Sequence, residues 1–238
     1  MTKSLPWLAP DNLTFPDIEE AWEDPNGLLA VGGDLCPARL IAAYRQGIFP
    51  WYEQGQPILW WSPQPRMVLF PDRIHISRSM RKILRRDDYV LSMDRAFSEV
   101  IEQCSLPRRD QGGTWITQAM KLAYAELHRR GVAHSLEVWR DGLLVGGIYG
   151  VAVGRAFFGE SMFSRMDNMS KIALIALAGQ LNAWKFGFID CQMETSHLYS
   201  MGAETLSKPH FKELLMHYTG LESIAGPWQL QLHFGAST

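Results

Sequence analysis

Three short strands in a row are predicted between residues 135 and 163, and they constrain the fold more than any other stretch. Asp141-Gly142 and Gly154-Arg155 divide this stretch into three mainly apolar runs. Residue pairs of this type are typical of tight hairpin turns. The stretch therefore predicts a three-stranded antiparallel meander.

Helix patterns stand on both sides of the meander. Thr117 is expected to cap an amphipathic helix that ends before Gly131, and a long apolar helix is expected from Asp167 or Asn168 to about Trp184. The remaining predicted elements are, in chain order, a strand at 67–70, helices at 78–86 and 94–103, a strand at 188–193, helices near 195–201 and 208–218, and a strand at 230–234. This order fits an α+β fold with a mixed sheet and helices on both faces, as in the acetyltransferase-like (GNAT) architecture.

The first 65 residues differ in composition and are rich in Pro, Gly and Trp. Only one helix is predicted there, from Pro37 to about Arg45, with Gly47 at the position of a left-handed cap. The prolines around the Gln64-Pro65 junction suggest a boundary. We therefore expect a small N-terminal α/β domain at 1–65 and a GNAT-like mixed-sheet domain at 66–238.

Charge is nearly balanced over the whole chain, with 23 Lys and Arg against 25 Asp and Glu and a formal net charge of −2. A contact with RNA or DNA therefore has to come from a local basic patch. On a helix, positions 78, 81, 82 and 85 share one face, which is either a solvated surface or a set of phosphate contacts. The candidate patch, free of acids between its first and last member, comprises Arg73, Arg78, Arg81, Lys82, Arg85 and Arg86.

Cysteine usage and hydropathy favour the reducing cytoplasm. Cys36, Cys104 and Cys191 form no CxxC pair, so they support neither a disulfide framework nor a zinc ribbon. The histidines lack Cys or carboxylate neighbours at metal-ligand spacing. We find no secretory signal and no apolar run of the roughly 20 residues that a membrane helix needs. We therefore expect a soluble cytoplasmic protein with no metal and no membrane partner.

Three polar residues stand in apolar surroundings. Alternation along the strand FIDCQM predicts that Asp190 and Gln192 share one face, either as the solvated side of an edge strand or as a pair in which Asp190 orients Gln192. Glu160 is flanked by phenylalanines in AFFGESMF. An unpaired carboxylate there would be costly, so we expect exposure, a structural cation such as Arg165, or the ammonium group of a ligand.

Two of the nine tryptophans, Trp51 in IFPWY and Trp115 in GGTWIT, stand in loops. Core packing is compatible with either residue. Loop aromatics beside a basic surface can instead stack on a nucleobase, which contributes about 1–3 kcal/mol each. The sequence leaves both interpretations open.

Read together, a series of motifs closely resembles the bacterial leucyl/phenylalanyl-tRNA-protein transferases. The resemblance runs from about residue 25 to residue 192, with agreement in both order and spacing. The motifs are PNGLLAVGGDL, YRQGIFPWY, ILWWSP, HISRSMRK, GGTWIT, AHSLEVWRDGLLVGGIYGVAVG, FFGESMFSRMDNMSK and FIDCQ.

The resemblance implies a reaction and its partners. Members of that family transfer Leu or Phe, and less efficiently Met, from aminoacyl-tRNA to the α-amino group of proteins beginning with Arg or Lys, which marks those proteins for the N-end rule. Leu-tRNA, Phe-tRNA and such acceptor proteins are thus the implied partners. No coenzyme A, metal, ATP or other cofactor is implied, because the aminoacyl ester is already activated.

The resemblance also implies roles for individual residues. It implies a catalytic pair of Asp190 and Gln192, with Glu160 near the reacting amine, and it implies that Trp51 and Trp115 hold the terminal adenosine. The tRNA acceptor region is implied to lie on Arg78, Arg81, Lys82, Arg85 and Arg86. The donor side-chain pocket is implied at Ile148, Phe157, Leu174, Leu177 and Ile189. In the family pattern Met stands at the position of Ile148 and Phe at that of Leu177, so the preference between Leu and Phe stays open.

Two alternatives belong to other classes of protein. A CoA-dependent N-acetyltransferase on the same fold would bind pyrophosphate at a Gly-rich turn, but MFSRMDNMSK, which leads into the long helix, contains no glycine. A non-catalytic RNA-binding module would bind tRNA and form no product.

Overall fold

The computed structural model of the protein describes residues 4–86, 88–107 and 115–232. Within these residues, strands and helices are interspersed along the chain. In order, the elements are β1 (Trp7–Leu8), β2 (Leu28–Gly32), α1 (Pro37–Arg45), β3 (Phe49–Pro50), β4 (Leu59–Trp61), β5 (Arg66–Leu69), α2 (Arg78–Leu84), β6 (Val90–Met93), α3 (Phe97–Ser105), α4 (Gln118–Arg129), β7 (Ala133–Arg140), β8 (Leu143–Val153), β9 (Ala156–Ser164), α5 (Met169–Ala183), β10 (Phe188–Gln192), α6 (Ser196–Ser200), β11 (Glu204–Leu206) and α7 (Lys208–Thr219).

The strands form two sheets. The smaller has the order β1-β2-β4-β3 and lies within the first 61 residues. The larger has the order β11-β5-β10-β9-β8-β7-β6. Among its described pairs only β9 and β10 run parallel, while the others are antiparallel. The predicted mixed sheet is thereby confirmed.

The predicted meander is confirmed as β7, β8 and β9, with Gly142 and Gly154 at positive φ in its two turns. The helix after Thr117 is confirmed as well, because the Thr117 hydroxyl accepts a hydrogen bond from the Met120 backbone N–H. Gly131 follows that helix at φ +69°. The predictions for these elements are confirmed because their turn and cap residues lie within or next to the elements themselves.

Other expectations differ from the structure. The strands β6 and β11 were not predicted, since each is only three or four residues long and gains its pairing from a neighbour distant in sequence. The predicted strand at 230–234 is wrong for residues 230–232, which have no strand conformation. Residues 233 and 234 lie outside the described part of the chain.

Helices cover both faces of the larger sheet, as predicted. One face packs against α1, α3, α4 and α7, and its hydrophobic core includes Tyr44, Phe158 and Phe211. The opposite face packs against α2, α5 and α6, with a core that includes Phe157 and Ile189. Adjacent residues such as Phe157 and Phe158 enter different cores because side chains alternate along a strand. We call these two clusters the α4-side core and the α5-side core.

The smaller sheet shares the α4-side core with the larger one. Trp60 of β4 and Leu40 of α1 belong to the same cluster as Tyr124 of α4, and all three are fully buried. The boundary near residue 65 therefore stays a prediction about chain organisation. In the described part of the chain, no helix combines the length and apolar character that crossing a membrane requires.

The parallel pair β9 and β10 creates the setting for a site. Their register pairs Asp190 with Phe158, and described pairing goes no further along either strand. On its other edge β10 is irregular against β5 between Asp190 and Gln192. Polar side chains just beyond the last pair, Glu160 and Gln192, can therefore meet between two diverging strands.

Candidate active site

The end of β10 carries a bulge that sets the position of Gln192. Gln192 has φ +63°, in the left-handed region that favours glycine, and its backbone N–H donates to Asp190 Oδ1 at 2.9 Å. The alternation of side chains along the strand, which was expected to continue from Asp190 to Gln192, is thus interrupted at this bulge. Asp190 does contact Gln192, but through the backbone rather than through the side-chain amide.

Asp190 is also paired with Arg66 of β5. The guanidinium donates from Nε to Oδ1 at 2.8 Å and from Nη2 to Oδ2 at 2.7 Å, and Nη2 also donates to the carbonyl oxygen of Gly47. Arg66 is 1% exposed and Asp190 0%. This bidentate pair compensates a charge that would otherwise be buried without a partner. The interpretation of Asp190 as part of a solvated strand face is wrong.

Glu160 of β9 is buried and accepts three hydrogen bonds. Tyr44 of α1 donates to Oε1 at 2.7 Å, Tyr124 of α4 donates to Oε2 at 2.9 Å, and Gln192 Nε2 donates to Oε1 at 2.9 Å. The expected pairing with Arg165 is wrong, because Arg165 donates to Gln103 instead. Among the described residues no cation forms an ion pair with Glu160.

The surroundings of Glu160 change its acidity. Burial raises the pKa of Glu160 to about 7, although its three hydrogen-bond donors lower it; the charge of Asp190 adds to the rise. Burial also raises the pKa of Tyr44 and of Tyr124 well above 10, so both phenols keep their protons at neutral pH. The site therefore contains one carboxyl group able to change charge near pH 7 between two fixed donors.

Exposure divides the three predicted catalytic residues into two kinds. Glu160 and Gln192 each retain 8% of their surface, whereas Asp190 retains none. Since Gln192 uses Nε2 to donate to Glu160, its Oε1 is the amide atom that can accept a hydrogen bond from another group. Asp190 can act only through Gln192 and Arg66.

The two loops that carry Trp51 and Trp115 are in contact with each other through neighbouring residues. The hydroxyls of Tyr52, next to Trp51, and Thr117, two residues after Trp115, are 3.2 Å apart. Trp51 is 40% exposed, which argues against a core role, and it packs edge-on against Trp61. Trp115 is half-buried against the α4-side core. The preceding Gly112, Gly113 and Thr114 of the motif lie outside the described residues.

The five residues predicted to line a donor side-chain pocket are brought together in the α5-side core. Each is at most 5% exposed. They lie on the face of the sheet opposite to Tyr44 and Tyr124. The residues are Ile148, Phe157, Leu174, Leu177 and Ile189.

The predicted basic helix is confirmed as α2, though shorter at its end. Its inner side is held by buried Met80 and half-buried Ile83, which pack in or against the α5-side core. Arg73 differs from the other cations because it pairs with Glu204 at 3.2 Å. The exposed cations, none in an ion pair with a described residue, are Arg78, Arg81, Lys82, Arg85 and Arg86.

Sequence reasoning missed the partners that define this site, Arg66, Tyr44 and Tyr124. The only available signal for Arg66 was a cation at the start of an apolar strand. Both tyrosines occupy apolar positions of their helices and were indistinguishable from core residues. No group of three or more His, Cys, Asp or Glu able to hold a metal occurs in the described part of the chain.

Comparison with solved structures adds little. The L-PGS of Bacillus licheniformis is similar with a TM-score of 0.40 and 14% identity, covering 63% of this chain and 55% of that one. A GCN5-related N-acetyltransferase from Kribbella flavida has a TM-score of 0.32 and 9% identity, with 72% and 61% covered. Similarity at this level carries no argument about this chain.

Comparison with families and curated proteins is decisive. The family model described as leucyl/phenylalanyl-tRNA protein transferase matches residues 68–216, and that of its N-terminal domain matches residues 33–64. The leucyl/phenylalanyl-tRNA–protein transferase of Pseudomonas fluorescens is 56% identical, covering 93% of this chain and 98% of its own. The enzyme of that name from Pseudomonas entomophila is 59% identical, with 90% and 95% covered. This chain therefore belongs to the leucyl/phenylalanyl-tRNA protein transferase family and is an aminoacyltransferase.

Proposed function

We propose that this chain transfers Leu or Phe, and less efficiently Met, from aminoacyl-tRNA to the α-amino group of proteins that begin with Arg or Lys. The product would carry an N-end rule degradation signal. The observation that carries the proposal is the hydrogen bond between Gln192 and Glu160 where β9 and β10 stop pairing. This bond supports the proposal because it joins an amide and a carboxyl group on two residues that each keep 8% of their surface exposed, next to which an amine would bind.

The terminal adenosine would bind at Trp51 and Trp115. The bond between Tyr52 and Thr117 holds the two loops together. Thr117 caps α4, and Tyr124 lies seven residues further along it, about 10 Å by helix geometry. An aminoacyl-adenosine whose adenine stacks on these tryptophans would therefore be long enough for its ester to approach Glu160.

The tRNA backbone would bind along the exposed cations of α2. Such contacts position phosphates without reading sequence, and they make affinity depend on salt.

The donor side chain would enter the α5-side core between β9 and β10, toward Ile189 and Phe157. Its entry requires these side chains to move, because they are closely packed in the free chain.

The chemistry needs positioning more than activation, because an ester already carries a good leaving group. Gln192 Oε1 would accept a hydrogen bond from the attacking amine, and Asp190 would hold Gln192 in its left-handed conformation through the backbone N–H. The terminal ribose hydroxyl would relay a proton to the leaving oxygen.

We also propose that residues 1–65 and 66–238 are the two units of the chain.

The direct test is to incubate the chain with Leu-tRNA and a peptide beginning with Arg, then to measure the peptide by mass spectrometry. We expect addition of one leucyl residue at the N-terminus, abolished by RNase. A matched peptide beginning with Glu serves as the control and should stay unmodified. Binding of tRNA without product would favour the RNA-binding module, and modification that depends on acetyl-CoA would favour an acetyltransferase.

A further inference from the structure

Glu160, Tyr44 and Tyr124 form a closed ring of hydrogen-bonding oxygens. The Tyr44 hydroxyl lies 2.7 Å from Oε1 of Glu160, and the Tyr124 hydroxyl lies 2.9 Å from Oε2. The two hydroxyls are also hydrogen-bonded to each other. Three oxygen–oxygen contacts therefore connect two phenols and one carboxyl group.

Counting protons shows that the ring is incomplete when Glu160 is ionised. Two phenols supply two protons, whereas three contacts need three. If both phenols donate to the carboxylate, the contact between Tyr44 and Tyr124 has no hydrogen. One further proton on Glu160 satisfies all three contacts: Glu160 donates to Tyr124, Tyr124 to Tyr44, and Tyr44 back to Glu160.

The other groups facing Glu160 compensate its charge only in part, because Gln192 donates one hydrogen bond to it and no cation among the described residues pairs with it. Asp190 of β10 carries a like charge, which Arg66 of β5 compensates. Gln192 is neutral, and Tyr149 of β8 is a buried phenol whose own pKa is raised by burial and by Glu160. Glu160 is therefore free to take up a proton when a donor arrives.

We propose that Glu160 accepts the proton of the acceptor's α-ammonium group, and that Tyr44 and Tyr124 are positioning residues that share this proton within the ring. The inference rests on the proposed function. An N–H bond of the ammonium breaks and an O–H bond forms on Glu160. The neutral amine then attacks the ester carbonyl, the C–N bond forms and the ester C–O bond breaks. A second amine proton passes to the leaving ribose oxygen, and Glu160 returns its proton to solvent.

The acid strengths agree with this assignment. An α-amino group has a pKa of about 7.7–8.0, so an ordinary Asp with a pKa of about 3.9 is a poor base for it. Glu160, with a pKa of about 7, is much better matched. Asp190 is excluded as the base because it has no exposed surface and both its oxygens accept from the cationic guanidinium of Arg66, whereas the donors to Glu160 are neutral.

The first experiment follows Glu160 itself in the free protein. Carboxyl-¹³C-glutamate is incorporated, and the Glu160 signal is identified by its loss in Glu160→Gln. We expect the Glu160 signal to titrate near pH 7, well above the ordinary glutamate pKa of about 4.3. Titration of Glu160 in the ordinary range overturns the proposal.

The second experiment measures single-turnover transfer against pH with saturating substrates. The acidic limb of the wild-type profile should have its midpoint near that of the Glu160 signal. Each hydroxyl lowers the pKa of Glu160 by donating to its ionised form, so Tyr44→Phe and Tyr124→Phe should move the midpoint upward by about one pH unit. Tyr199→Phe, which removes a hydroxyl that donates to Glu194 outside the ring, should leave the midpoint in place.

The outcomes separate the inference from the proposed function. If wild type forms product and Glu160→Gln keeps both the rate and the acidic limb, this inference is wrong while the proposed function stands. If wild type forms no product at any pH, both are wrong. Thermal unfolding of each variant is measured in parallel, since a fold defect lowers the rate at every pH and does not move the midpoint.

Discussion

At the scale of single residues, the site depends on which hydrogen-bond donors surround its two buried carboxyl groups, Asp190 and Glu160. Asp190 receives two guanidinium bonds and one backbone N–H, which favours its ionised form. Glu160 receives only neutral donors while it is buried to a similar depth. The first is therefore a fixed charge that holds the bulge of β10, and the second is a group whose charge can change.

Asp190→Asn tests the role of the fixed charge. The variant leaves Arg66 without a buried counter-charge, so we expect a loss of about 3–5 kcal/mol in the free energy of unfolding in urea. We also expect kcat to fall at a temperature where the variant is folded, because the new amide Nδ2 cannot accept from Arg66 Nη2, and the side chain that anchors the Gln192 backbone N–H is displaced. Transfer at the wild-type rate with saturating substrates would contradict the positioning role.

The matched control for that substitution is Glu204→Gln. It breaks the pair of Arg73 with Glu204, which is 3.2 Å long but more than half exposed on both sides. An exposed pair contributes about 0–1 kcal/mol, so stability and kcat should change little. The contrast isolates burial as the reason for the effect at Asp190.

At the scale of secondary-structure elements, α2 combines an apolar inner side with a cationic outer side. Its inner residues Met80 and Ile83 attach the helix to the α5-side core. Its outer cations lack ion-pair partners among the described residues, in contrast to Arg130, the residue directly after α4, which pairs with Glu126. The unpaired cations of α2 are therefore available to an anionic ligand.

Replacing Arg78 and Lys82 of α2 by Gln tests this use. If each contacts one phosphate, the double variant should raise KM for Leu-tRNA and reduce the slope of log affinity against log salt by about 2. The kcat at saturating tRNA should not change, because neither residue belongs to the hydrogen-bonded ring of Glu160, Tyr44 and Tyr124. Arg130→Gln is the control, and an equal effect from it would show that only overall charge matters.

At the scale of the whole molecule, the two sheets are joined by a shared core and by polar contacts. Tyr44 from α1 reaches Glu160, and Arg66 bonds the carbonyl oxygen of Gly47. The geometry of the candidate site therefore requires the N-terminal part of the chain to be packed against the larger sheet.

Leu40→Ala tests whether the two parts unfold together. Leu40 is fully buried in the α4-side core, so we expect a loss of about 2–5 kcal/mol and one unfolding transition that coincides by tryptophan fluorescence and circular dichroism. Leu122→Ala, on the exposed side of α4 at 63% exposure, should change stability by no more than about 0.5 kcal/mol. Two separate transitions in Leu40→Ala would show that the parts fold independently.

Much of the fold could be predicted because its signals are local. The meander, α1 and α4 are defined by turn pairs, caps and periodicity that lie within a few residues of each element. The strands β6 and β11 could not be predicted, since short strands are stabilised by neighbours rather than by their own composition.

The sequence by itself determined most of the element order, the basic helix, the family resemblance and the identity of the polar residues at the end of β10. Only the tertiary structure decided their partners. Arg66 and Asp190 are 124 positions apart, and Tyr44 and Glu160 are 116 positions apart. No periodicity connects residues so distant along the chain. Pairing of β5 with β10 brings Arg66 to Asp190, and packing of α1 against the larger sheet brings Tyr44 to Glu160. These contacts decide which carboxyl group is paired with a cation and which has only neutral donors.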